Sequence, residues 1–190
     1  IKDLAYNKRY VLFAIASFCT QGPMLANNTY FSVLYTGVGG TIAGVGIVLM
    51  IFCLSEAPFM KISARVGKER TIEKMFIGIL ILSTLRWYIY SLEPPVAVLI
   101  GTFFLHGISN GAFIAISMTY IARITKKSNR VTALSLYSAL SLGLANMFCQ
   151  YAGGAILDQY GPGGFYFLYA LLNGMAIVLF VILASLRKHK

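Results

Sequence analysis

The sequence predicts an all-α membrane protein with six transmembrane helices. Of its 190 residues, 58% are hydrophobic and only 12% are charged, which is too few charges to cover the surface of a soluble domain of this length. Six apolar runs each reach the roughly 20 residues that a helix needs to cross the hydrocarbon core. Transmembrane β-strands are excluded, because such strands are short and alternate in polarity and these runs do neither.

The predicted spans follow the apolar runs along a single domain of residues 1–190. They cover approximately residues 10–30, 40–60, 72–92, 96–121, 133–157 and 165–186. Pro23 and Pro58 lie inside spans, where a proline is expected to kink a membrane helix without ending it. The pair Pro94-Pro95 ends the third span, and the stretch 157–164 predicts the turn before the sixth.

The charges of the connections predict the orientation of the chain. Fifteen of the 16 lysines and arginines lie before the first span, around the second and fourth connections, or at the end of the chain: Lys2, Lys8, Arg9, Lys61, Arg65, Lys68, Arg70, Lys74, Arg123, Lys126, Lys127, Arg130, Arg187, Lys188 and Lys190. The connections on the other side carry little charge beyond Glu93 and Asp158. By the positive-inside rule, we expect a multi-pass protein of the plasma membrane with both termini cytoplasmic. The net charge of +10 is thereby assigned to topology, and no nucleic-acid partner is expected.

No motif in the sequence indicates an enzyme or a metal protein. Cys19, Cys53 and Cys149 lie inside apolar runs without zinc-site spacing, so no metal site and no cofactor are expected. Metalloprotease, hydrolase and intramembrane aspartate signatures are missing as well. The first apolar run is too long for a cleavable signal peptide. Because the chain starts with Ile, we expect that it was cut from something longer or processed.

Arg86 and His106 lie well inside predicted spans, where the cost of burial makes each a functional candidate. Arg86 either extends to the outer interface, as the neighbouring Trp87, Tyr88 and Tyr90 favour, or faces a cavity. His106 lies roughly 15 Å below the outer end of the fourth span, close to the midplane. It either hydrogen-bonds a neighbouring helix or lines a cavity, where it would bind solute or carry a proton.

Further polar residues lie at comparable depth. Asn110 follows His106 by one helical turn on the same face, and Gln21 and Asn146 occupy similar levels on other spans. Each alone is equally explained as a hydrogen-bonding contact between helices. Glu56 lies toward the cytoplasmic end of the second span, where it either pairs with Lys61 or loop cations or takes part in coupling. We expect Arg86 and His106, at backbone levels roughly 6 Å apart, to bracket one polar site that Asn110 and Asn146 line.

The second connection resembles the cytoplasmic signature loop of the major facilitator superfamily, G-x-x-x-D-[RK]-x-G-[RK]-[RK]. Arg65, Gly67, Lys68 and Arg70 match that pattern. The first glycine and the aspartate are replaced by methionine and alanine. In the second half of such transporters this motif is usually less complete, so the two replacements indicate a C-terminal half. The resemblance implies that Arg65 and Arg70 act on conformational switching rather than on solute recognition.

A second resemblance is to the phenylpropionate permease and lactose permease branch of that superfamily. Arg86, within Leu-Arg-Trp, is followed 20 residues later by His106, within Leu-His-Gly. In that branch an arginine and a histidine at this spacing, on the ninth and tenth helices, belong to the proton-coupling network. The stretches 135–139 and 153–154 resemble the eleventh helix. The six spans are therefore identified as helices seven to twelve of a twelve-helix fold.

The resemblance implies half of a secondary transporter for a small organic solute, built as two inverted three-helix repeats and working by alternating access. Six helices do not enclose a cavity alone, so the expected partner is an N-terminal six-helix half or a second copy of this chain. Ser109 stands where the lactose permease group has its proton-carrying glutamate, and Ile47 near its galactoside-binding one, which argues against lactose as the solute. Any proton carried by this half should then depend on His106 or Glu56. The alternative is a membrane sensor or scaffold that keeps the fold without transporting.

Overall fold

The computed structural model describes residues 2–65 and 69–188, and every regular element within those ranges is helical. The elements are α1 (Lys2–Ala5), α2 (Lys8–Gly37), α3 (Ile42–Ser63), α4 (Glu69–Ser91), α5 (Val96–Ile124), a 3₁₀ turn (Lys127–Asn129), α6 (Arg130–Tyr137), a π-helical segment (Ser138–Leu144) and α7 (Ala145–Lys188). The prediction of an all-helical chain is confirmed for this part of the sequence.

The first four long helices, α2 to α5, overlap the first four predicted spans, and α2 and α3 begin at side-chain caps. The side chain of Asn7 accepts a hydrogen bond from the Tyr10 amide at 3.3 Å, and Thr41 accepts one from the Gly44 amide at 3.1 Å. Pro95 directly precedes α5. Both α2 and α3 continue through their internal prolines, Pro23 and Pro58, as predicted.

The last long segment is a continuous helical rod that breaks once. Ser138 and Ala145 keep right-handed helical dihedrals, so α6, the π-helical segment and α7 run on without a turn. The break comes at Gly161, whose φ of 68° and ψ of −174° suit glycine far better than other residues. It divides α7 into α7a (145–160) and α7b (162–188). The Glu93 carboxylate accepts a hydrogen bond from the Gly163 amide at 3.1 Å, satisfying a donor at the start of α7b.

Three stretches of the described chain are long and apolar enough to cross a membrane: Ile42–Ser63, Val96–Ile124 and Lys127–Ser185. The third has 59 residues and contains both of the last two predicted spans, which Gly161 separates. Helices α2 and α4 are not among these stretches. Each of them carries a strongly polar residue inside the helix, Gln21 on α2 and Arg86 five residues before the end of α4, which lowers its mean hydropathy.

The interior contains two separate apolar clusters, both rich in aromatic rings. The Phe13 cluster includes Tyr10, Phe13, Phe76, Phe113, Tyr120, Tyr137 and Phe180. The Trp87 cluster includes Phe31, Phe52, Trp87, Tyr90, Phe103, Phe165, Tyr166 and Tyr169. Because helices α2, α4, α5 and α7 each supply residues to both clusters, the two clusters lie at different levels along the bundle.

Two glycines bring α5 into close backbone contact with α3. A Cβ atom on Gly107 would collide with the Ser55 side chain and the Phe52 carbonyl oxygen, and one on Gly111 would collide with the Glu56 carbonyl oxygen. The spacing is the G-x-x-x-G pattern that lets membrane helices approach closely. This contact fixes the position of the polar side chains that α3 and α5 share.

Candidate functional site

A layer of buried polar side chains separates the two apolar clusters. It lies between residues of the two clusters on four helices: between Ala16 and Met24 on α2, Leu80 and Trp87 on α4, Phe103 and Phe113 on α5, and Ala170 and Ala176 on α7b. The buried members are Ser17, Thr20, Gln21, Ser55, Ser83, Arg86, His106, Ser109, Asn110, Ser141 and Asn173. Such residues are costly in the middle of an apolar bundle, so a layer of them marks the candidate functional site.

Arg86 lies inside the bundle rather than at its rim. The residue is 2% exposed, and its guanidinium carbon is 3.8 Å from the centroid of the Trp87 ring and 5.4 Å from that of Tyr90. No carboxylate of the described side chains lies within ion-pair distance of it. Trp87 and Tyr90 are themselves fully buried and contact Arg86, whereas Tyr88 is exposed.

His106 is fully buried among aromatic rings. Its ring stacks on Phe52 with centroids 5.0 Å apart, and the rings of Phe103 and Trp87 lie 5.2 and 5.8 Å away. The Trp87 indole thus contacts both Arg86 and His106. The two residues expected to bracket one site are therefore brought to the same indole, in an enclosure that contains mostly apolar groups.

Glu56 and Asn110 form a direct polar contact between α3 and α5. The Asn110 Nδ2 donates a hydrogen bond to Glu56 Oε1 at 2.8 Å. Asn110 is buried and Glu56 is partly buried. Of the two alternatives for Glu56, the structure gives it this amide partner rather than an ion pair with Lys61. Asn110 accordingly directs its amide nitrogen to Glu56.

The remaining two candidates lie on other helices. Gln21 is fully buried on α2, beside the Tyr137 hydroxyl of α6. Asn146 is partly buried near the start of α7a, where its Oδ1 accepts a hydrogen bond from Gln150 Nε2 at 3.0 Å on the same helix. Asn146 therefore has an intrahelical partner, whereas Gln21 contributes to the buried polar layer.

The residues that match the signature loop are only partly described. Arg65 is exposed just after α3, and Arg70 lies in the first turn of α4. Gly67 and Lys68 lie outside the described residues. Glu73, in the first part of α4, forms an ion pair of 3.6 Å with Arg9 of α2.

Sequence reasoning missed two features of this region. Arg9 was counted only as a loop charge, yet its guanidinium also donates to the Tyr120 hydroxyl at 3.1 Å and so joins α2, α4 and α5. No spacing along one chain reveals such a partner. The second feature, the pair Gly107 and Gly111, carries a readable signal in its G-x-x-x-G spacing.

Comparison with known proteins places the chain among membrane transport proteins. Residues 1–169 match the family described as MFS_1 like family. The chain is 34% identical over 195 aligned residues to the "Uncharacterized transporter YwbF" of Bacillus subtilis (strain 168), covering 99% of this chain and 48% of that protein. It is 32% identical over 186 residues to the "Maltose permease" of Geobacillus stearothermophilus, covering 97% of this chain and 47% of that protein. The chain thus spans about half the length of these curated relatives, and no solved structure matches it.

Proposed function

Because the chain belongs to the MFS_1 like family, we propose that it forms one half of a secondary active transporter that moves a small organic solute. In this proposal the membrane domain has six spans: α2, α3, α4, α5, the rod of α6 through α7a, and α7b. They form two inverted three-helix repeats and supply half of a twelve-helix fold that works by alternating access. The length of the relatives, about twice that of this chain, supports the proposal.

The observation that carries the proposal is the polar layer between the two apolar clusters. Solute sites of such transporters lie near the bilayer midplane at the meeting of repeats, and this layer lies between the two apolar clusters on α2, α4, α5 and α7b. Arg86 supplies fixed donors and His106 a further hydrogen-bonding group beside the same indole. Buried polar groups are costly inside an apolar bundle, so a whole layer of them favours a role in binding solute.

The chemistry of the layer favours a solute that accepts hydrogen bonds. Aromatic carboxylates, nucleosides and oligosaccharides all satisfy that requirement. The relative named maltose permease favours the oligosaccharides, and aromatic rings such as Trp87 provide the flat apolar faces on which sugar rings pack. We therefore place hydroxyl-rich glycosides first among the solutes to be tested.

The partner of this half is an N-terminal six-helix half or a second copy of the chain. Every long helix exposes large apolar side chains that such a partner or lipid would cover, among them Ile47, Met50 and Leu54 on α3 and Met147 and Tyr151 on α7a. Native mass spectrometry of the purified chain distinguishes the two partners. A specific dimer supports a second copy, and a chain that is stable only with a separate six-helix polypeptide supports the other.

Transport itself is tested by reconstituting the native-length protein into liposomes. We expect counterflow of at least one radiolabelled solute from a panel of glycosides, nucleosides and aromatic carboxylates, inhibited by the unlabelled solute. Empty liposomes and liposomes with protein inactivated by heat serve as controls. If a solute binds the purified protein but is never moved, the chain is a sensor or scaffold that keeps the fold, and the transporter proposal fails.

Replacing Arg65 with cysteine tests both the orientation and the role of the signature loop. In a Cys53→Ser background, in which Cys19 and Cys149 are buried, we expect labelling in intact cells by a membrane-permeant but not by an impermeant maleimide, because the cations of this loop favour the cytoplasm. We also expect slower turnover with equilibrium binding changed by less than about threefold, because Arg65 lies far from the polar layer. Labelling from outside would reverse the topology, and lost binding with normal turnover would contradict the switching role.

A further inference from the structure

Among the acidic side chains that the structure describes, Glu56 is the one in the middle section of a long helix. It lies about 21 Å along the axis from the first residue of α3 and about 10 Å from the last. By contrast, Glu73 lies near the start of α4, Glu93 lies in a connection and Asp158 is exposed near the end of α7a. A carboxylate at the depth of Glu56 is costly unless something compensates for its charge.

That compensation comes from an amide and not from a cation. Asn110 Nδ2 donates to Glu56 Oε1 at 2.8 Å, and no lysine or arginine of the described side chains lies within ion-pair distance of the carboxylate. The close contact of Gly111 with the Glu56 backbone holds the two helices at the distance this hydrogen bond needs. The ionised carboxyl group is therefore stabilised by a single neutral donor, and a proton would remove the remaining cost of its charge.

Asn110 is able to stabilise both protonation states of that carboxyl group. Its Oδ1 is buried and accepts no hydrogen bond. A half-turn of the amide about its last torsion would present this oxygen to the O–H of a protonated Glu56, while the present orientation offers N–H to the carboxylate. Asn110 thus donates its Nδ2 hydrogen to the carboxylate and has a free Oδ1 that can accept from the carboxylic acid, as a site that gains and loses a proton requires.

The local structure of α3 gives the Glu56 carboxyl group access to the surface of the bundle and allows the helix to move when the charge changes. Glu56 is partly buried and adjoins the exposed side of α3, which carries Cys53 and Ala57. Pro58, two residues further on, has no N–H to donate to the Leu54 carbonyl, so the helix lacks one of its hydrogen bonds next to Glu56. A change of charge here acts on a helix segment that is already weakened.

His106 is a poorer proton carrier in the same layer. It contacts the indole on which Arg86 stacks, and it is enclosed by Phe52 and Phe103. A proton on its ring would place a second positive charge beside Arg86 in an apolar enclosure, without any carboxylate of the described residues to pair with either. A proton on Glu56 cancels a buried negative charge, whereas a proton on His106 creates a buried positive one. Glu56 is therefore the better proton-binding group.

We propose that Glu56, oriented by Asn110, is the proton-binding site of this half. The proton adds to the carboxylate to give a neutral carboxylic acid, moves with the conformational change and leaves to water on the other side. This inference rests on the proposed transport function and adds that transport is coupled to protons through α3. The other titratable or charged groups around α3 are His106 on α5, the Tyr35 hydroxyl of α2 near Gly44, and the exposed Lys61 and Arg65 beyond Glu56.

The test compares Glu56→Gln with the control Asp158→Asn in the native-length protein. Asp158 is an exposed carboxyl on α7a, so its neutralisation removes an equal charge outside the site. We expect Glu56→Gln to keep exchange within about threefold of wild type but to lose proton-driven accumulation by at least roughly tenfold, because the fixed neutral amide mimics the protonated state. Asp158→Asn should keep both. Accumulation that persists in Glu56→Gln, or that follows a sodium gradient instead, overturns the inference.

Infrared difference spectra give a second readout that needs no transport. On changing pH, we expect wild type to show the carbonyl stretch of a protonated carboxylic acid that Glu56→Gln lacks and Asn110→Ala shifts. If Glu56→Gln does not fold, the Asn110→Ala variant still tests the site. A carbonyl band that does not shift in Asn110→Ala would contradict the assignment to Glu56. If the band is present but no solute moves, the transport proposal fails and the proton site stands. If solute exchanges but no such band exists, the proton site fails and transport stands.

Discussion

Replacing Arg86 with alanine is expected to abolish solute binding. The guanidinium supplies several fixed donors to the polar layer, and apart from the Tyr90 hydroxyl they have no hydrogen-bond partner among the described residues, so they can pair with a solute when the layer opens. Loss of hydrogen bonds from a buried charged donor costs about 2–5 kcal/mol, which corresponds to at least roughly a 30-fold loss of affinity. The variant Arg86→Lys should restore little of this affinity, because the ammonium group of lysine does not replace the planar set of guanidinium donors.

The folded protein should survive this substitution, which makes the measurement interpretable. Arg86 has no carboxylate partner among the described residues, so its removal relieves the cost of a buried charge while it gives up the stacking on Trp87. Binding is measured by scintillation proximity or calorimetry, and folding by thermal unfolding in detergent. Leu85→Ala, a truncation at a 56% exposed position of the same helix, serves as the control and should bind normally. Normal binding by Arg86→Ala would remove this residue from the site.

Replacing Gly111 with valine is expected to disrupt the fold. A side chain there would collide with the carbonyl oxygen of Glu56, and backbone atoms have little room to give way. Overpacking of this kind costs about 1–3 kcal/mol or more and should lower the melting temperature by several degrees. The Glu56–Asn110 hydrogen bond should be lost with it, because α3 and α5 would have to move apart.

Gly101→Val provides a matched control on the same helix. Nothing lies within 4 Å of a Cβ atom at Gly101, so the same substitution there meets open space. We expect a melting temperature close to that of wild type, since the only change is in helix propensity. Equal destabilisation by both variants would mean that helix propensity, and not the contact with α3, explains the loss. Unchanged stability of Gly111→Val would show that α3 and α5 separate without cost.

The sequence predicted where helices form, but it did not predict which side chains of different helices would meet. Apolar runs located the helices and placed Arg86, His106 and Glu56 at their levels, because depth follows from counting residues at 1.5 Å each. Their partners depend on which helices are neighbours and how each is rotated. Hence Trp87 supports an interfacial level for Arg86 in the sequence, whereas in the structure it is fully buried and packs against the Arg86 guanidinium. The six-span count and the roles of the site residues remain predictions.

The pairing of Glu56 with Asn110 illustrates the same limit. Both residues were singled out because polar groups are costly in an apolar span, and that criterion requires no partner. Their contact depends on Gly107 and Gly111, which let α5 approach α3. The G-x-x-x-G spacing was visible in the sequence, but a pattern of small residues does not say which helix it will meet.

The polar layer has a consequence for how the chain enters the bilayer during synthesis. Helices α2 and α4 carry part of that layer and lack the apolarity of a self-sufficient span, whereas α3 and α5 possess it. A segment that carries the charged Arg86 within its apolar run inserts poorly into lipid on its own. We expect α4 to insert into the membrane only after α5 or α7 has been synthesised and can pack against it. Truncation after α4 should then leave it outside the membrane in a glycosylation-mapping assay, and extension through α7 should bring it in.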